Sequence, residues 1–102
     1  MLPPRLARLP PAPGFPGLEV RRAHSFRARL LGLAFLDEPA AHVGLLLPGT
    51  RAVHTFGMRF ALDLRWLDPA GRVVRVDRRV PPRRLRACGA AAAVLELSSA
   101  RR

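Results

Sequence analysis

The stretch from His54 to Trp66 alternates residue by residue. Even positions carry His54, Phe56, Met58, Phe60, Leu62, Leu64 and Trp66; odd positions carry Thr55, Gly57, Arg59, Ala61, Asp63 and Arg65. Successive side chains of a strand point to opposite faces. Period two therefore argues for β structure with one large apolar face and one polar face. A bend is expected at Gly57, where a strand interior lacks a side chain to pack.

The flanks extend this reading. Leu18–Ala23 is expected as a first strand. Ser25 is a plausible N-cap for a helix from about Phe26 to Phe35, with Phe26, Leu30, Leu31 and Leu33 on its buried side. Pro39 ends it, because proline disfavours helix at the residue before it. His42–Leu47 is a short apolar strand closed by Pro48-Gly49. Asp68-Pro69-Ala70-Gly71 places aspartate, proline and glycine where a β-turn wants them, so Arg72–Val76 returns as a hairpin partner. Pro81-Pro82 makes Val80–Leu85 an edge strand or a loop. Val94–Leu97 reads as a last strand, with helix-favouring alanines before it. The fold class expected is α+β: one small domain, dominated by an antiparallel, strongly curved sheet or small barrel, with one short helix.

A chain of 102 residues holds one modest core. Six of the eleven prolines lie in residues 1–17. That segment is expected as an extended or partly disordered arm, not a helix, ahead of a β-rich domain over 18–102. The net charge of +11 comes with 18 basic residues, all arginine. It fits an anionic partner, or a compositional bias in which arginine supplies ordinary surface charge. A single cysteine, Cys88, excludes an intramolecular disulfide and suits a reducing compartment. No apolar h-region and no run of about 20 apolar residues is present, so a cytoplasmic protein is expected.

Three stretches resemble the domain-of-unknown-function 192 family, a widespread small prokaryotic domain. Arg29-Leu30-Leu31-Gly32-Leu33 resembles its arginine, two variable residues, Gly-Leu element. His54-Thr-Phe-Gly-Met58-Arg-Phe-Ala-Leu-Asp63-Leu resembles its aromatic–Met and Leu/Ile-Asp core. Asp68-Pro-Ala-Gly71, Pro81-Pro82 and Val94-Leu95-Glu96-Leu97 follow in the family's order. The resemblance spans roughly residues 18–97. It implies a compact β-rich fold and no particular chemistry. Departures are Ala34, Arg59-Phe60 and Ala61, where the family often has Met, Asn-Thr and Pro. Past Val-Leu-Glu-Leu the family adds a glycine turn and a strand, where this chain has Ser98-Ser-Ala-Arg-Arg102.

Many activities are excluded by residue type. Without lysine there is no phosphate-loop lysine and no Schiff-base lysine. There is no tyrosine, no Gly-x-Ser-x-Gly elbow, and no metal-ligand spacing among Cys88, His24, His42 and His54. No cofactor is expected. Cys88 with His54 or His42 could form a nucleophile–base pair, or be a packed residue.

Two candidate sites remain. His54, Met58, Arg59 and Asp63 could form a small polar ligand site at one end of the sheet, with Arg59 taking an anion. Parity opposes this, since His54 and Met58 share one face and Arg59 and Asp63 the other; alternatively Asp63 pairs with Arg59 or Arg65 over an apolar core. Arg72, Arg75, Arg78, Arg79, Arg83, Arg84 and Arg86, against Asp77, form the densest charge. They could track phosphates of a nucleic acid or protect a sheet edge. The leading expectation is a non-catalytic accessory or binding module for a protein or a small anionic ligand. Weak sequence-independent nucleic-acid binding is the alternative.

Overall fold

A computed structural model describes residues 2–40 and 42–99. Nine elements follow in order: α1 Pro4–Ala7, β1 Glu19–Arg22, α2 Phe26–Leu31, β2 Val43–Pro48, β3 Ala52–His54, β4 Leu62–Leu67, β5 Val73–Val80, β6 Leu85–Ala87 and β7 Ala93–Ser98. They form a five-stranded sheet in the order β1-β2-β7-β4-β5, and a two-stranded sheet of β3 and β6. The mostly β, α+β architecture agrees with the sequence. Three features differ from it: the helices are two, β1 pairs parallel to β2, and the sheet is open, not a closed barrel. A parallel pair needs a crossover, and the segment carrying α2 between β1 and β2 supplies it.

The large sheet is covered on both faces. One cluster contains Leu45, Leu47, Leu62, Leu64, Trp66 and Val94 with Leu33, Met58 and Phe60 from the connecting segments. The other contains Leu46, Leu95, Leu97, Val20 and Leu67 with Ala12 from the N-terminal segment. Strands β2, β4 and β7 are therefore buried along nearly their whole length. Strand β5 is the exposed edge.

The long alternating run is two strands, not one. Between β3 and β4 the chain turns through Gly57, at φ 82°. Phe35 packs where a Gly57 Cβ would lie, and its N–H donates to the Gly57 carbonyl at 2.9 Å. Thr55, fully buried, fastens the turn. Its Oγ1 donates to the Pro81 carbonyl (2.7 Å) and accepts from the Arg84 N–H (2.8 Å). The turn puts Phe56 outside at 51% exposure, although its parity matches the core residues.

The N-terminal arm holds one turn of helix where an extended chain is expected. Pro4 sits at the first helical position, which tolerates proline because its missing N–H would have no partner there. Leu6 is fully buried in the main core. Beyond α1, the Ala12 N–H donates to the Val20 carbonyl and the Arg22 N–H to the Pro10 carbonyl, so the arm runs against β1.

Helix α2 begins as expected, with Ser25 Oγ accepting from the Ala28 N–H at 3.0 Å. It ends earlier, at Gly32, whose φ of 52° breaks the helical path. Its apolar face is not buried as expected: Phe26 is 75% exposed and Leu30 52%, while Leu33, beyond the helix, is fully buried. Asp68–Gly71 makes the expected turn, and Val94–Leu97 lies within β7. Residues 100–102, where the resemblance leaves a further strand open, lie outside the described residues.

Candidate functional site

A cleft of about 640 Å³ opens between α2 and the β3–β6 pair. Phe26, Arg29, Leu30 and Gly32 form one wall, and Ala52, Val53, His54, Leu85, Arg86 and Ala87 the other. Gly49, Thr50 and Arg51 close one end, and Glu96 of β7 contributes to the lining. The exposed apolar side chains of α2 thus face a gap. On the opposite side β3 and β6 pair in register, with His54 opposite Leu85 and Val53 opposite Arg86.

Three guanidinium groups line the cleft. Arg29 Nη1 donates to the Pro48 carbonyl at 3.2 Å, tying α2 to the end of β2. Arg86 Nη1 donates to the Leu85 carbonyl at 2.9 Å. Arg51 stands on the exposed end loop. His54 Nδ1 accepts from the Phe56 N–H at 3.2 Å, leaving Nε2 to carry the proton. Apolar walls with this cationic set suit a molecule with an apolar body and an anionic group.

Glu96 is the exceptional member. It is 1% exposed, and its Oε1 has no hydrogen-bond partner. Across the sheet it lies between Leu45 of β2 and Leu64 of β4. Burial pushes its carboxyl pKa up to about 8, against the lowering effects of the Leu33 backbone N–H and the Arg5 charge. At neutral pH the carboxyl is therefore mostly protonated. Gly32 covers it: a Cβ at Gly32 would lie 2.7 Å from Oε1. Arg5 of α1 reaches over the same turn and donates to the Gly32 carbonyl at 2.7 Å. Burial lowers the pKa of Arg5, and the charge of Glu96 raises it.

The residues grouped from sequence do not assemble into one site. Of the four, His54 alone lines the cleft. Met58 is core, at 7% exposure. Arg59 pairs on the surface with Asp37 at 3.0 Å. Asp63 is buried and fastens a β-bulge. Leu62 pairs with Val80 and Leu64 with Asp77, so β5 has one extra residue in this interval. Asp63 Oδ1 accepts from the Arg79 N–H at 3.0 Å, where Arg79 has φ 52°, and from the Ser99 hydroxyl at 2.7 Å. Replacing it should be costly for a structural reason. Asp63→Ala is expected to lose about 2–3 kcal/mol, because it removes the acceptor for two part-buried donors. Arg59→Ala should stay within about 0.5 kcal/mol, as for most surface ion pairs. Chemical denaturation of the two variants checks this; equal losses would restore a shared role for them.

The arginine-rich stretch is also divided. Arg72 pairs with Asp68, and Arg75 grips Asp77 through two bonds of 2.8 and 2.9 Å. These contacts hold the carboxyls of Asp68 and Asp77 below the ordinary range; at Asp68 the Arg72 N–H leads, and at Asp77 the Arg75 side chain. Arg78 and Arg79 are exposed near the end of β5. Arg83 and Arg84 lie in the turn that Thr55 holds, where Arg83 donates its N–H to the Thr55 carbonyl. Arg86 turns into the cleft. Cys88 is buried in the main core. Among the described residues no group of three or more His, Cys, Asp or Glu comes together to hold a metal ion.

Sequence reasoning passed over Glu96, Arg29, Gly32, Arg51, Phe26, Leu30 and Leu85 as site residues. A signal existed for three of them. Two of the stretches that carry the family resemblance meet here: Arg29 and Gly32 from one, Glu96 from the other.

A family model for DUF192, described as an uncharacterized ACR, matches residues 13–101. Two crystal structures share the fold. A protein of unknown function from Novosphingobium aromaticivorans DSM 12444 aligns with TM-score 0.72 at 20% identity, over 79% of this chain and 63% of that one. A protein from Sinorhizobium meliloti 1021, for which a role as a transcription regulator has been suggested, aligns with TM-score 0.73 at 22% identity, over 79% of this chain and 68% of that one. This chain thus spans somewhat under two-thirds of the first structure's length. No curated protein matches it.

Proposed function

The chain belongs to the DUF192 family, and we propose that it is a non-catalytic binding module for a small amphipathic anion, held in the cleft between α2 and the β3–β6 pair. The observation that carries this reading is the apolar cleft of about 640 Å³ with Arg29, Arg51 and Arg86 on its lining. Exposing Phe26, Leu30 and Leu85 to water costs apolar burial, which a ligand with an apolar body would recover. The arginines would fix its anionic end, and His54 Nε2–H would add a donor. The free, buried thiol of Cys88 suits a reducing compartment, and a cytoplasmic setting is part of this reading. Among the described residues no helix is long and apolar enough to cross a membrane.

The test is a titration with 8-anilinonaphthalene-1-sulfonate, whose aromatic body and sulfonate match the cleft. Saturable one-to-one binding is expected. The double variant Arg51→Ala, Arg86→Ala should weaken it by about tenfold or more, the value of one charge-assisted bond. Binding that is absent, or indifferent to that variant, would overturn the reading.

A second reading rests on the exposed edge strand β5 and the arginines at its end. Arg78, Arg79 and Arg83 would contact phosphates without reading sequence. Fluorescence anisotropy of labelled duplex DNA, titrated with salt, tests it. A steep salt dependence lost on substituting those three arginines would favour it; no binding near 0.15 M salt would remove it.

A further inference from the structure

Glu96 is a buried carboxyl at the cleft, and among the described residues its Oε1 has no hydrogen-bond partner. A buried polar atom without a partner costs roughly what a lost hydrogen bond does, so such atoms are rare in folded proteins. The neighbours on either side in the sheet, Leu45 and Leu64, offer no polar side chain. A leucine would fill the position without that cost. We propose that Glu96 is a ligand-recognition residue: its carboxyl donates through Oε1 to a hydrogen-bond acceptor, a ketone or other carbonyl oxygen, at the inner end of the molecule whose anionic end the arginines hold.

This rests on the cleft reading above and deepens it by naming the second polar group of the ligand. Three observations combine. Glu96 lines the cleft. Its Oε1 is buried and lacks a partner. The element over it, α2, buries none of its own residues and is tied to β2 through Arg29, and Gly32 closes over Oε1 without a side chain. Access requires the Gly32 turn to draw back, which breaks the bond from Arg5 to the Gly32 carbonyl while Leu33 and Ala34 stay anchored in the core.

The protonation state fits a donor. Burial holds the carboxyl neutral through neutral pH, so it has an O–H to give. The charged groups around it are Arg5 of α1 and, lining the cleft, Arg29, Arg51 and Arg86, with the titratable His54 beside them. Once the carboxyl ionises it becomes acceptor-only and repels a carbonyl oxygen. Recognition should therefore fade as pH rises past about 8.

The experiment compares two probes by calorimetry, 7-oxooctanoate and 7-methyloctanoate, which share a carboxylate and a chain and differ in the ketone. At pH 6.5 the protein should prefer the oxo acid by about tenfold, the value of one hydrogen bond to a buried group. At pH 9 the preference should shrink below about twofold. Glu96→Gln keeps a donor and loses the proton, so it should keep the preference at both pH values. Glu96→Leu should lose it at both, with circular dichroism verifying the fold. Equal binding of the two probes to the parent protein at pH 6.5, or a preference that survives in Glu96→Leu, overturns the proposal while leaving the cleft reading intact. If neither probe binds, the cleft reading fails and the proposal with it.

Discussion

Unfolding free energy should fall as pH rises from about 4.5 to about 8, by on the order of 4 kcal/mol, and Glu96→Gln should flatten that slope. The sign follows from proton counting. Glu96 has its pKa raised from 4.5 to about 8 by burial. Between those values the folded chain holds the proton and the unfolded chain does not. Stability therefore decreases with pH through this window. It is fully present below 4.5 and lost as pH passes 8. The depressed carboxyls, Asp68 and Asp77, act the opposite way. Their contribution is present above 3.8 and lost at still lower pH, so it lies outside the window. Urea denaturation at half-unit steps from pH 5 to 8.5 measures the slope. A parent protein whose stability is level across that range, or a Glu96→Gln variant with the same slope, would show that the carboxyl is not held neutral by burial.

Trp66→Ala should cost about 3–5 kcal/mol. Trp66 is fully buried in the main core, and its indole N–H donates to Asp77 Oδ2 at 3.0 Å. Arg75 grips the same carboxylate and sits 5.8 Å over the ring. The substitution empties the largest buried side chain of the core and removes one of Asp77's donors. Against a total stability of roughly 5–15 kcal/mol for a domain, that is a large share. The melting temperature should drop by on the order of 20 °C. Phe56→Ala is the matched control, since Phe56 has the same parity in the alternating run and is 51% exposed. It should change stability by about 0.5 kcal/mol or less. Thermal melts of the pair decide the matter, and equal losses would mean that the turn at Gly57 does not turn Phe56 outward.

The contrast between Trp66 and Phe56 indicates how far periodicity reaches. Alternation correctly marks β structure and correctly assigns Leu62, Leu64 and Trp66 to one face. It cannot detect that the chain leaves the sheet between His54 and Leu62, because a turn changes direction without changing the count of residues. Glu96 shows the converse failure. Val94-Leu95-Glu96-Leu97 reads as a strand, and alternation alone leaves the surroundings of its one acid unspecified. Here β7 lies between β2 and β4 with both faces covered, so the acid is buried whichever way it points. Similarly, Phe26 and Leu30 have helical spacing for a buried face, but the β3–β6 pair stands off from them across a gap, and they line a cleft instead.

Local chemistry was legible from the residues: the Ser25 cap, the Asp68–Gly71 turn, the strands around Val20, Leu45, Leu64 and Leu95, and the family to which they belong. Each depends on backbone geometry and polarity within a few residues, which are properties of short segments. Only the tertiary structure could decide which strands neighbour one another, and hence that Asp63 clamps a bulge, that Arg59 lies on the surface with Asp37, and that Glu96, Gly32 and Arg29 share a cleft. Those outcomes depend on long-range pairing, in which β7 enters between β2 and β4. That pairing sets which side chains lose their water and which face an open space.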